Sequence, residues 1–90
     1  MPVFEGRNVS SATEVANNIP SGVLSYTVVM NTTGSLDIYI GAASAYTKIY
    51  SATSLGSGDN VQNELPVKVL AGKNIYINSS GNFDYYFSID

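Results

Sequence analysis

The sequence predicts an all-β fold, a small antiparallel β-sandwich or jelly roll of six to eight strands with an N-terminal arm. Three observations carry that prediction. Apolar and polar side chains alternate through Leu24–Met30, Leu36–Ile40 and Phe83–Ile89, the period of a strand with one buried face. Turn residues separate such runs about every 8–12 positions, the spacing of a sandwich or barrel. No useful 3.6-residue periodicity competes, and strands do not alternate with helical runs as in a parallel α/β sheet.

Residues 1–20 differ from the rest and read as an N-terminal arm or leading strand, with residues 21–90 forming the β-sandwich domain. Val3, Phe4, Val9, Val15 and Ile19 are scattered through polar sequence there. Ser11-Ala12-Thr13-Glu14 matches a capping box, the one helix signal. Asn17, Asn18 and Pro20 stop any such helix within two turns, and Pro20-Ser21-Gly22 reads as a turn.

Six core strands follow. Leu24, Tyr26, Val28 and Met30 share one face of the first. Asn31-Thr32-Thr33-Gly34 supplies the next turn, with Gly34 free to take positive φ. Leu36, Ile38 and Ile40 then oppose Asp37, Tyr39 and Gly41, and Tyr46–Tyr50 makes a short two-sided third strand. Ser54–Asn60 reads as the longest loop. Val67–Leu70, Asn74–Asn78 and Phe83–Ile89 complete the set, joined through Ala71-Gly72-Lys73 and Ser79-Ser80-Gly81-Asn82. The inward side chains expected are Leu24, Tyr26, Val28, Leu36, Ile38, Ile40, Ile49, Val67, Val69, Ile75, Ile77, Phe83, Tyr85, Phe87 and Ile89. At roughly 1.5–3 kcal/mol each that core is lean, and oligomerisation is a natural way to add buried surface.

Composition narrows the chemistry. The chain has neither Cys nor His, so disulfides, the usual zinc, haem and iron–sulfur ligand sets, and Ser-His or Cys-His nucleophile pairs are all out of reach. A net charge of −3 argues against nucleic acid, which selects a basic face. No apolar run approaches the 18 or more residues of a membrane helix. The first residues show no basic segment followed by an apolar one, so production without Sec export is expected. No enzymatic activity, cofactor, metal, nucleic-acid or membrane partner is expected.

Motif by motif, simple readings prevail. Ala71-Gly72-Lys73-Asn74 lacks the first glycine of a phosphate loop, with Val67 in its place, and the hydroxyl residue after the lysine. It reads as a hairpin turn. Gly56–Asn60 with Glu64 offers oxygen ligands but no repeated Asp pattern for calcium. The carboxylates Glu5, Glu14, Asp37, Asp59, Glu64, Asp84 and Asp90 form no recognisable acid–base pair. Sequons at Asn8, Asn31 and Asn78 are close to the number chance gives in a chain where Ser, Thr and Asn fill 27 of 90 positions.

The tyrosines carry more. Seven Tyr with no Trp is an interface-like balance, because Tyr joins a large apolar face to a wet hydroxyl. Tyr39, Tyr76 and Tyr86 fall opposite the expected core, where they suit a subunit contact, a sugar-stacking platform, or only the β propensity of Tyr. With Phe4 and Val9 of the arm they are the candidate contact residues; no catalytic, cofactor or metal residue is assigned.

Ser25-Tyr26-Thr27, a turn closing at Gly34, Leu36–Ile40 and the block Leu65-Pro66-Val67-Lys68 through Ile75-Tyr76-Ile77 together resemble small β-sandwich proteins of bacteriophage virions, a group similar to tumour-necrosis-factor-like and other jelly-roll trimers. In those proteins a Ser-Tyr-Thr strand opens the domain and a hydrophobic-Pro-Val-Lys block with a glycine turn leads to the final strands. The resemblance covers residues 23–89. It implies a non-catalytic virion component (capsid decoration, head-fibre or tail-associated) made in the bacterial cytoplasm. It also implies a homo-oligomer, a trimer foremost, whose partners are capsid or tail proteins. The alternative is a glycan- or cell-surface-binding module of the adhesin or receptor-binding type, partnered by host surface glycans and mediating host attachment through Tyr39, Tyr76 or Tyr86.

Overall fold

The computed structural model describes residues 1–42 and 44–90. Eight strands are present: β1 (Val3–Val9), β2 (Thr13–Ala16), β3 (Leu24–Met30), β4 (Gly34–Ala42), β5 (Ala45–Leu55), β6 (Asn60–Glu64), β7 (Asn74–Ser79) and β8 (Phe83–Ile89). They form two four-stranded sheets, β1-β8-β3-β6 and β2-β7-β4-β5. Every pairing is antiparallel. The first strand pairs the last, the second the seventh, the third the sixth and the fourth the fifth. That nesting is one long hairpin rolled up so that β8 meets β3 and β7 meets β4. The result is a jelly roll, a β-sandwich where the turn spacing alone left sandwich and barrel open.

Period-2 patterning sets the core. Along β3, Leu24, Tyr26, Val28 and Met30 are buried while Ser25, Thr27 and Val29 between them are partly exposed. Leu36 and Ile38 of β4, Ile75 and Ile77 of β7, and Phe83, Phe87 and Ile89 of β8 meet them from both sheets. Tyr26 stacks on Phe87 with ring centroids 5.3 Å apart. Ile40, Ile49 and Tyr85, expected inside, are only partly buried at the margin of this cluster.

Several expectations need correction. Val67–Leu70 is not a strand. Pro66 has no N–H to offer a ladder, and the segment bridges only Gly22, through Val69 N–H to Gly22 O at 2.8 Å and Gly22 N–H to Val69 O at 3.1 Å. Val69 is therefore buried but Val67 is 67% exposed. The third strand runs to Leu55, and β6 begins where the long loop was expected to end. With Val61 its only apolar residue, β6 carries no alternation to announce it.

Residues 1–20 supply one edge strand to each sheet. Phe4 pairs with Phe87 across β1 and β8, and a bulge in β2 turns Val15 and Ala16 both inward. Ile19 is buried as well. The capping-box reading fails on backbone geometry: Ser11 sits at φ 63°, whereas an N-cap residue is extended. No helix forms among the described residues. The radius of gyration is 12.2 Å, close to the ~12 Å of a closed 90-residue domain.

Gly34 is required for close approach rather than for positive φ. A Cβ there would sit 2.5 Å from the backbone nitrogen of Gly81, because the β3–β4 and β7–β8 loops stack. Asp84 ties the same end together. Its Oδ1 accepts the Asn8 N–H at 2.7 Å and the Asn31 Nδ2–H at 2.9 Å. Arg7 lies 3.8 Å from Oδ2. These partners, the Asn8 amide foremost, hold the Asp84 carboxyl below its ordinary pKa.

Candidate functional site

Each sheet has an outer face, and the expected contact residues divide between them. On the outer face of the β2-β7-β4-β5 sheet, Tyr39 of β4 is directly opposite Tyr76 of β7, with ring centroids 6.1 Å apart. A third ring joins them: Tyr46 of β5 is 5.5 Å from Tyr76 and 6.4 Å from Tyr39. Strands β5 and β7 flank β4, so their backbones are about 9.6 Å apart. The Tyr46 and Tyr76 rings thus lean together across β4, at the position where Gly41 presents no side chain opposite Tyr46.

Polar groups rim this cluster. Lys48 Nζ stands 5.6 Å from the Tyr39 ring centroid and 3.9 Å from Asp37 Oδ1, which also accepts the Ser51 hydroxyl at 2.6 Å. Glu14, opposite Tyr76 on β2, accepts from the Asn17 amide at 2.8 Å. Three half-buried rings with a charged border make an amphipathic patch, a composition of the kind enriched at protein interfaces.

Tyr46 was not among the expected residues, because only the pairing of β4 with β5 brings it to the others. The β4–β5 pair aligns Ala42 with Ala45, and that register sets Tyr46 opposite Gly41 and diagonal to Tyr39.

Tyr86 lies apart, on the outer face of the β1-β8-β3-β6 sheet, 43% exposed. Shallow depressions flank it, one toward Ser25, Thr27 and Gln62, the other toward Glu5, Arg7 and Asp84. Phe4 and Val9 pack against the core from β1. The structure brings Tyr39 and Tyr76 together and leaves Tyr86, Phe4 and Val9 elsewhere.

Other candidates resolve into local roles. Asp59 closes its own turn, its Oδ2 accepting the Gly56 N–H at 2.8 Å. In the Ala71-Gly72-Lys73 turn, Gly72 N–H donates to Ile19 O at 2.8 Å and Lys73 O accepts from Ile19 N–H at 2.9 Å. The buried Tyr26 hydroxyl makes no hydrogen bond of good geometry among the described residues; burial pushes its pKa up, and the Asn63 side chain opposes that shift.

No family model matches the chain, and no curated protein matches it. Among solved structures, one of infectious bursal disease virus Gt strain is similar over 98% of this chain at 8% identity, with a TM-score of 0.47. One of the Gx strain of the same virus is similar over 98% at 8% identity, with a TM-score of 0.33. This chain spans 28% and 32% of the length of those two chains.

Proposed function

We propose that this protein is a non-catalytic structural subunit of a virion, one that self-associates through the Tyr39–Tyr46–Tyr76 face. The tyrosine cluster is the observation that carries the reading. Three aromatic rings gathered on an outer sheet face, away from the core, supply area that a partner can bury at low side-chain entropy cost. Charged residues are 12% of the chain, so copies that gather at this face desolvate few ions.

The sequence resemblance supplies the finer reading: a bacteriophage capsid-decoration, head-fibre or tail-associated protein, a homotrimer, made in the host cytoplasm and then carried on the particle. The jelly roll suits that role but also serves lectins and other binding domains, so fold alone does not select it. Mass spectrometry of density-purified particles from the source culture tests the virion assignment. Peptides of this chain should co-purify with the particles in constant ratio to the major shell protein. Their absence from intact particles refutes the assignment.

A further inference from the structure

We infer that the free edge of β5, with the apolar groove beside it, is a docking site for an extended segment of a partner protein whose groove-facing side chains are apolar and whose flanking residues are acidic. This second surface is separate from the tyrosine face. Among the described residues β5 pairs only with β4, leaving its other edge of N–H and C=O groups without a strand. Proteins blunt such edges with shortness, charge or proline. Strand β2 has four residues, β6 five and a following Glu64-Leu65-Pro66, and β1 carries Glu5 and Arg7, whereas β5 has eleven residues and one charge, Lys48. A bulge at Ile49, where Ile38 pairs Tyr50 but Tyr39 pairs Lys48, divides the edge, and the stretch Ala45–Lys48 is the one beside the groove.

The groove lies under that stretch. It holds about 360 Å³ between Ile40, Thr47 and Ile49 on one side and Leu65, Val69 and Leu70 on the other. That volume is at the small end of ligand sites, room for a few side chains. Val67 and Leu70 on its rim are 67% and 71% exposed, unlike nearly every other large apolar side chain of the chain. A strand added to β5 would alternate its side chains, sending every second one toward this groove.

Charge selects the partner. Lys73 lines the groove and Lys68 sits on the same loop, and neither has a carboxylate within ion-pair distance among the described residues. No Asp or Glu occurs between Asp37 and Asp59 or between Glu64 and Asp84. The rest of the chain carries a formal −5, the overall −3 less these two lysines. A segment bearing carboxylates is repelled by most of the surface and attracted here.

Fluorescence anisotropy with the whole chain tests the site. The probe is an acetylated, amidated peptide of about seven residues with Val or Leu at alternate central positions, Ser between them and Asp at both ends. It should bind saturably, about tenfold more tightly than the same peptide with Lys for Asp. Joint Lys68→Glu and Lys73→Glu substitution should reverse that preference. Leu70→Ser, at an exposed position that leaves the fold intact, should weaken binding of the acidic peptide, and so should a proline at the peptide's centre. Tyr76→Ser should leave binding unchanged, which separates this site from the tyrosine-face contact. Absence of binding at about 1 mM, or equal binding of acidic and basic peptides, overturns the proposal. So does displacement of the chain's own self-association by the two glutamates, which would make a second copy the occupant.

Discussion

Truncating Phe87 to alanine tests the register on which every surface assignment depends. Phe87 has no exposed surface, stacks on Tyr26 at 5.3 Å and lies 6.0 Å from the Tyr85 ring. Its strand is hydrogen-bonded to β1 on one side and β3 on the other, so the backbone cannot close over the vacated volume. A Phe→Ala change in a core costs about 3–5 kcal/mol, and a site that collapses poorly belongs in the upper half, about 4–5 kcal/mol. A 90-residue domain has about 5–13 kcal/mol in total, so a third or more of its stability would go. At about 4–8 °C per kcal/mol the melting midpoint should fall by roughly 16–40 °C. Far-ultraviolet circular dichroism against temperature gives the measurement, with Ser88→Ala, on the opposite face of the same strand, expected within about 0.5 kcal/mol of the parent. A Phe87→Ala midpoint within a degree or two of the parent, or a Ser88→Ala loss of comparable size, refutes the register and with it the assignment of Tyr86 to the outer face.

Three further outcomes are expected. Gly34→Ala should cost about 1–3 kcal/mol by thermal melting, because the new methyl meets Gly81 backbone at 2.5 Å and backbone gives way poorly; a neutral result would mean the two loops do not stack. Tyr26→Phe should be neutral or stabilise by up to about 1 kcal/mol in urea titration at unchanged m-value, since it removes a buried hydroxyl without a well-aligned partner, and a clear loss would show that the hydroxyl is bonded, to Asn63 foremost. The folded pKa of Asp84 lies below its unfolded value near 3.9, so its contribution is complete above that pH and disappears as pH falls through the folded value. Melting midpoints taken from pH 6 to about pH 2 should therefore decline less steeply in Asp84→Asn than in the parent, and parallel curves would refute the role of the carboxylate.

How much was legible in the sequence followed how much each segment reveals of its own burial. Strands β3 and β8 each have both neighbours in the sheet and one face on the core, so alternation through Leu24–Met30 and Phe83–Ile89 marks their inward sides. Edge strands obey weaker rules. Strand β6 has one apolar residue, and β2 places Val15 and Ala16 inward together through a bulge that no two-residue period describes. Val67-Lys68-Val69-Leu70 alternates like a strand, yet Pro66 and a lone bridge to Gly22 leave Val67 and Leu70 in solvent. The site divided the same way. Tyr39 and Tyr76 could be placed opposite the core from their own strands, whereas Tyr46 joins them only through the register of the β4–β5 pair. Neither the β5 edge nor its groove is local, since they unite residues from positions 40–49 with positions 65–73.

The central claim is that the tyrosine face holds copies of this chain together, and multi-angle light scattering behind a sizing column tests it most directly. The parent should elute at a multiple of 9.6 kDa, three for the proposed trimer, with mass rising with concentration through the micromolar range. Joint Tyr46→Ser and Tyr76→Ser substitution should return the mass to that of one chain while circular dichroism keeps its β signature. A parent that stays at 9.6 kDa at every concentration, or a double variant that keeps the parent's mass, contradicts the account.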